Sequence, residues 1–216
     1  MISLAEHDGY KSLQRPAQAE VVIKKSRFIA FAGPARDEEA ALAYLAEAQK
    51  ELPDARHHCY AYVTGFPQLV VRMSDDGEPS GTAGKPILDV ILREGLQNTM
   101  VVVSRIFGGV LLGAAGLVRA YAAAAKAGID AAGITEYRLH QRWSLTCSYA
   151  AYPKIQHLLE VRGVRYEPVR FDAEVELEVM LLENAAEAVV HETNELLHGQ
   201  GVWKLLDSIY LPIRSG

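Results

Sequence analysis

Three stretches of the chain concentrate side chains that can bind charge or move protons. They are His57-His58-Cys59, Ser74 to Pro86 (SDDGEPSGTAGKP), and Ser104 to Tyr121 (SRIFGGVLLGAAGLVRAY). The middle stretch is polar, punctuated by glycine, and runs straight into a helix start. A helix N-terminus presents unpaired N–H groups and a positive dipole end, so Ser80, Thr82 and Lys85 can together hold an anion. Asp75, Asp76 and Glu78 can instead gather a hard cation such as magnesium. An Asp-Gly turn followed by an ordinary helix cap explains the same residues with no ligand.

In the third stretch, Gly108 and Gly109 leave an apolar strand, and Gly113 and Gly116 let backbone pack closely or approach a ligand. Strand, glycine turn and helix in that order build many phosphate sites. The GK[ST] ending of a Walker loop is missing, and so is a GxGxxG fingerprint. Arg105 near the end of the strand and Arg119 inside an Ala-rich helix each need a carboxylate or a ligand if buried. Asp75, Asp76 or Glu78 would meet that need, and so would a bound anion. His57 and Cys59 fall on one face of a strand and His58 on the other. A Cys–His nucleophile pair and a buried structural cysteine both fit this run, and no further ligand is spaced for zinc. Cys147 is expected in a core. No metal and no cofactor is expected.

The elements that would position these groups follow from patterning. Glu20 to Ala32 reads as a strand with a polar break at Lys24 to Arg27. Asp37 caps a helix running to about Leu52, with Leu42, Leu45 and Ala46 on one stripe and Pro53 as its stop. His57 to Val63 and Leu69 to Met73 are strands. Thr82 or Gly84 opens a second helix that Gly95 ends. Met100 to Phe107 is the most apolar strand and the central one, and a long Ala-rich helix covers about Leu112 to Ala131. After a boundary within Ala132 to Arg138, strands at His140 to Ser148, Val164 to Phe171, Glu174 to Leu182 and Val202 to Leu211 alternate with helices at Tyr152 to Val161 and Asn184 to Leu197. This β-α-β-β-α-β order is the ferredoxin-like split arrangement. The domains are therefore set at 1–136 and 137–216, an α+β chain.

Composition narrows the class. Of 216 residues, half are hydrophobic and 23% charged, enough to bury a core and too apolar for disorder. Net charge is −5, and the two halves carry −2 and −3 when divided at Tyr137, so neither is a basic module. Two cysteines make no disulfide framework. MISLAEHDGY lacks the charged start and apolar run of a secretory signal. The greasiest stretch, Val110 to Ala125, carries Arg119 and is too short to span a bilayer. No membrane partner and a cytoplasmic location are the expectation. In the second domain, Trp143 and Trp203 fall in phase with Leu145, Leu205 and Ile209 and should face helices. Glu174, Glu176 and Glu178 line the open face, a poor platform for RNA phosphates.

These segments, with HHCYAYV at 57–63 and KKSRFIA at 24–30, resemble the IMPACT family, also called the YigZ family, over nearly all of both domains. SDDGEPSGTAGKP together with RIFGG-x3-LG-x2-GL-x-RAY carries the resemblance. It implies a first domain folded like the second domain of a small-subunit ribosomal protein, a fold shared with elongation factor G domain four and the GHMP kinases. It implies a second, ferredoxin-like domain similar to one in elongation factor G. Eukaryotic relatives restrain the amino-acid starvation response by binding the activator of the kinase that phosphorylates initiation factor two. They carry a different extra domain, and this chain matches the bacterial architecture. Leu111 stands where the family often has lysine, Ile106 where tyrosine is usual, and Ala115 where glycine is usual. The exchange at 111 removes a positive charge beside the glycine turn.

The expectation is a non-enzymatic binding or regulatory protein linked to translation. It would touch the ribosome, RNA or a translation-related protein through the glycine segments of the first domain. The alternative is a small-molecule enzyme or phosphate-ligand protein using the same cleft, with His57, His58 and Asp76 as the groups to test for proton transfer.

Overall fold

A computed structural model describes residues 9–213. The reading of residues 1–8 as no export signal lies outside them. The chain divides into two units, Met1–Glu136 and Tyr137–Gly216. Both are mixed α+β with antiparallel sheets. No helix among the described residues is long and apolar enough to cross a membrane.

The first unit opens with β1 (Gly9–Leu13), which pattern reading did not find. It is short and polar at Lys11, and it is held by bonds to the Leu96–Thr99 segment such as Ser12 Oγ to the Asn98 carbonyl, 2.9 Å. The Glu20 to Ala32 run is two strands, β2 (Ala17–Ile23) and β3 (Ser26–Pro34). Its polar break is the hairpin turn, with Lys24 and Lys25 both at positive φ (44° and 67°), the geometry that matches strand twist. α1 (Glu38–Glu51) follows, and its Asp37 cap accepts from the Ala40 amide at 2.8 Å. Ala41 and Ala48 are buried and Tyr44 and Leu45 pack beside them half-buried, whereas Leu42 and Ala46 are exposed, so of the expected stripe only Leu45 faces the sheet.

Next come β4 (His57–Thr64), β5 (Val70–Ser74), α2 (Gly84–Arg93), β6 (Thr99–Ile106) and α3 (Ala114–Ala132). The sheet order is β2-β3-β6-β4-β5, and β6 lies at the centre as its unbroken apolar run requires. α1 covers one face. α2 and α3 cover the other, with α3 over β2 and β3 and α2 over β4 and β5. Small residues let α3 sit close: Gly128 lies so near that a Cβ there would stand 2.8 Å from the Cβ of Ala30.

The second unit has β7 (Ile134–Cys147), whose first residues belong to the first unit, then α4 (Tyr152–Val161), β8 (Arg165–Phe171), β9 (Val175–Leu182), α5 (Ala186–Leu196) and β10 (Val202–Pro212). Its strands pair in the order β10-β7-β9-β8, all antiparallel. Val175, Leu177 and Val179 are buried and their glutamate neighbours are not. Trp143 and Trp203 pack on this core as an edge-to-face pair, centroids 6.1 Å apart. Leu205 and Ile209 do not join them, being 47% and 37% exposed. A register shift between Leu205 and Asp207 breaks the alternation that pattern reading carried through the strand.

Candidate functional site

The sequence motifs meet where β4 begins and β6 ends. Register places His57 opposite Arg105, and Phe28 on β3 opposite Arg105 from the other side. Paired residues share a face, so Arg105 and His57 point to the side covered by α2 and α3. His58 and Ser104, also paired, point to the α1 side.

The loop between β5 and α2 is wound round one carboxylate. The Glu78 amide bonds the Asp75 carbonyl (2.9 Å) and the Thr82 amide bonds the Pro79 carbonyl (3.0 Å), two turns in succession. The Asp75 carboxylate accepts from the amides of Gly81 (2.8 Å), Ala83 (3.0 Å) and Gly84 (2.9 Å). Burial pushes its pKa up, and those three amide bonds outweigh it, so the group sits below its usual value. The N-terminus of α2 thus holds an anion supplied by the chain itself. This corrects the reading of Ser80, Thr82 and Lys85 as an anion cradle. The Thr82 hydroxyl donates to the Pro79 carbonyl (2.6 Å), Lys85 is paired with Asp89 one turn on, and Ser80 is exposed. Of the two residues expected to open the helix, Gly84 is its first residue; Ala83 holds the cap position, with no side-chain cap bond.

The remaining acids are also engaged. Asp76 accepts the His58 amide at 2.6 Å through its side chain, and its carbonyl accepts from His57 Nδ1–H at 2.6 Å. Glu78 is buried and accepts from Arg105 (2.6 Å) and from the Tyr121 hydroxyl (2.8 Å). Among the described residues no three His, Cys, Asp or Glu side chains converge as a metal site.

Of the pairings open to the two arginines, Arg105 takes Glu78. It is 7% exposed, its guanidinium carbon lies 5.5 Å from the ring centres of both Phe28 and Phe107, and its Nε is buried with no partner. Arg119 is exposed on α3 and pairs with no carboxylate among the described residues, so only one of the two guanidiniums turns inward.

Cys59 is fully buried, its thiol 3.0 Å from the Asp75 carbonyl and 3.4 Å from the Tyr121 hydroxyl. Burial pushes that thiol up to about 12. Such a group is no nucleophile. His58 and Ser104 share a 2.8 Å hydrogen bond but are 8% and 0% exposed, closed off from any substrate. Burial lowers the His58 pKa and the neighbouring His57 adds to this, against Asp76.

Beyond Arg105 a hollow of about 240 Å³ opens, lined by Arg56, His57, Arg105, Phe107 and Leu111. Sequence reading named His57 and Arg105 but missed Arg56, Phe107 and Leu111 as its walls, and missed Tyr121 as the third member of the buried network. One signal for Arg56 lay in the strand pairing: its amide bonds the Arg105 carbonyl at 3.2 Å, which no local pattern reveals. The glycines around the hollow are structural. A Cβ on Gly108 would fall 2.0 Å from the Lys25 carbonyl carbon, so the β2–β3 turn leaves no room for one. Gly109 and Gly113 take positive φ (83° and 69°) in open space, and Gly113 stands at the start of α3.

Residues 24–129 match the family described as Impact N-terminal domain, and residues 145–200 match a domain of unknown function (DUF1949). The chain is 33% identical to "IMPACT family member YvyE" of Bacillus subtilis over 94% of each chain. It is 38% identical to an "IMPACT family member" of Haemophilus influenzae, over 87% of this chain and 92% of that one. It is also similar to a crystal structure described as that of "an hypothetical protein", 31% identical with a TM-score of 0.61, covering 93% of this chain and 98% of that one. With the two domains matched in order and the identity sustained across both, the chain belongs to the IMPACT family.

Proposed function

We propose that this protein works by binding, and that the hollow between Arg56, His57, Phe107 and Leu111 receives an anionic group of a ribosomal or RNA partner in translation. The observation that carries the reading is the division of labour around β4 and β6. Inside, every candidate catalytic group is buried or bonded to another part of the chain. Outside, one exposed guanidinium and one imidazole stand over the half-exposed Phe107 ring and the 83% exposed Leu111. A guanidinium and an imidazole beside apolar surface suit a phosphate carrying a base or sugar. The net charge of −5 keeps polyanions off the rest of the surface, so contact would be local. The β10-β7-β9-β8 order supports the ferredoxin-like reading of the second unit. Its likeness to elongation factor G, and that of the first unit to ribosomal-protein and GHMP-kinase folds, belongs to the same proposal as analogy of fold.

The test is co-sedimentation with ribosomes at low salt. The wild type should pellet, Arg56→Glu should lose most of that fraction with its melting temperature unchanged, and added salt should release both. A wild type that stays in the supernatant at low salt overturns the reading.

A second reading, a small phosphate-bearing ligand, draws on the guanidinium and imidazole that line the hollow, whose volume of about 240 Å³ leaves room for a phosphate and little more. A thermal-shift panel of nucleotides and sugar phosphates separates the two. A true ligand at 100 times its dissociation constant stabilises by about 2.7 kcal/mol.

A further inference from the structure

The five-stranded sheet of the first unit ends in two edge strands, β2 and β5. Which of their backbone groups point off the sheet follows from one hydrogen bond. The Ala35 amide bonds the Asn98 carbonyl at 2.7 Å, one step beyond the Pro34–Thr99 pair that ends the β3–β6 ladder. Bonding sides alternate along a strand, so even-numbered residues of β6 bond β3 and odd-numbered ones bond β4. Carried through the registers of β6 with β4 and of β4 with β5, this turns Val70, Arg72 and Ser74 toward β4. The N–H and C=O of Val71 and Met73 are left pointing off the edge. The Arg72 guanidinium agrees, donating to the outward Val71 carbonyl at 3.1 Å.

The same alternation points Gln18, Glu20 and Val22 off β2. Two of these three are polar and already engaged, Gln18 with Glu51 (3.0 Å) and Glu20 with Arg27 (2.8 Å). In the second unit β8 carries Pro168 and a register shift, and β10 carries Asp207 and a register shift. Charges, prolines and bulges are the usual guards of a sheet edge. β5 has no proline and an unbroken register, and its outward positions are valine and methionine. Val71 and Met73 lie opposite the buried Val63 and Ala61, so their side chains share the α2 face, yet with Leu69 just before the strand they are 40–50% exposed.

We propose that β5 pairs antiparallel with β5 of a second copy of this chain, about a two-fold axis through Val71. In that register Val71 faces Val71 of the second copy and Met73 faces Leu69, so the apolar side chains cover one another and the outward backbone groups bond across the axis. The apolar residues are symmetric about Val71, which matches the strand to its own copy. Charge fixes the register. An axis through Arg72 would set two guanidiniums directly opposite, whereas the axis through Val71 sets each opposite Val70. The two arginines remain diagonal neighbours, and a five-residue strand falls short of the roughly 1,000 Å² of a stable interface, so the dimer is weak. The proposal does not rest on the hollow at the start of β4.

The test is sedimentation velocity of the full chain over a concentration series. The wild type should be half dimeric at about 100 µM. Val71→Lys should weaken association at least about tenfold with the circular dichroism spectrum unchanged, and Val22→Lys on the other edge should leave it as it is. Cysteines read the register, since both native thiols are buried. Val71→Cys should form a covalent dimer on mild oxidation, its two Cα atoms about 5.5 Å apart across the axis. Leu69→Cys should not, because two such residues would stand about 13 Å apart along the strands. A wild type that stays monomeric, which would leave the edge to a foreign strand, overturns the proposal. So does a dimer indifferent to Val71→Lys, or one that Leu69→Cys locks as well as Val71→Cys.

Discussion

The carboxylate of Asp75 does for α2 what an external anion does elsewhere, and single residues around it give sharp tests. Asp75→Ala strips the acceptor from three amides and should cost about 2 kcal/mol in urea denaturation. Because its pKa is depressed in the fold, its stabilisation is complete above its ordinary value of 3.8 and is lost as pH falls through the folded value. His58 acts in the same direction at higher pH. Its folded pKa lies below 6.5, so the unfolded chain takes up the proton first. Stability should fall as pH drops from above 6.5 toward that folded value, and a urea midpoint unchanged between pH 7.5 and 5.5 would contradict this. Breaking the buried pair is costlier. Glu78→Gln or Arg105→Ala should each destabilise by about 3–5 kcal/mol, whereas the double change Glu78→Leu with Arg105→Met should cost much less than the sum. Arg105→Ala is therefore a poor probe of partner binding, and Arg56 is the better one. At this scale the sequence named the right residue types but not their partners. Asp75, Asp76 and Glu78 were legible as acids in a glycine-rich turn. That one would cap a helix, one would hold a strand amide and one would bury with Arg105 depends on strand pairing across dozens of residues.

Elements were far more legible, because periodicity and caps act locally. Asp37 fixes the start of α1, and the apolar run of β6 fixes its central place. The misses have physical causes. β1 is short and takes its partners from distant chain, and Lys24 and Lys25 adopt a turn conformation that their side chains do not advertise. The stripe of α1 was misplaced because alanine, not leucine, faces the sheet at its closest approach. Glycines that look alike in the motif differ in role, which gives a prediction for the turn after β6. Gly108→Ala must push the β2–β3 turn aside and should cost about 2–3 kcal/mol or more. Gly109→Ala meets open space and pays only for its positive φ, about 1 kcal/mol. Equal losses in thermal melts of the two variants would contradict the packing role assigned to Gly108.

Taken whole, the protein keeps its thiols and the Arg105–Glu78 pair inside, while the hollow proposed to bind opens at the surface. Both thiols are buried, Cys59 with its pKa pushed to about 12 and Cys147 with its pKa also raised by burial. Neither should react with iodoacetamide in the native state, while both should react in denaturant, as read by mass spectrometry. That silence makes a single introduced cysteine a clean reporter of where a partner docks. The decisive measurement places a photo-crosslinker on Leu111→Cys, at the lip of the hollow, and in parallel on Val161→Cys, an exposed site in the second unit. With purified ribosomes, position 111 should yield adducts that Arg56→Glu suppresses, and position 161 should yield none. Adducts from 161 alone, or adducts at 111 that are indifferent to Arg56, would contradict binding through the hollow.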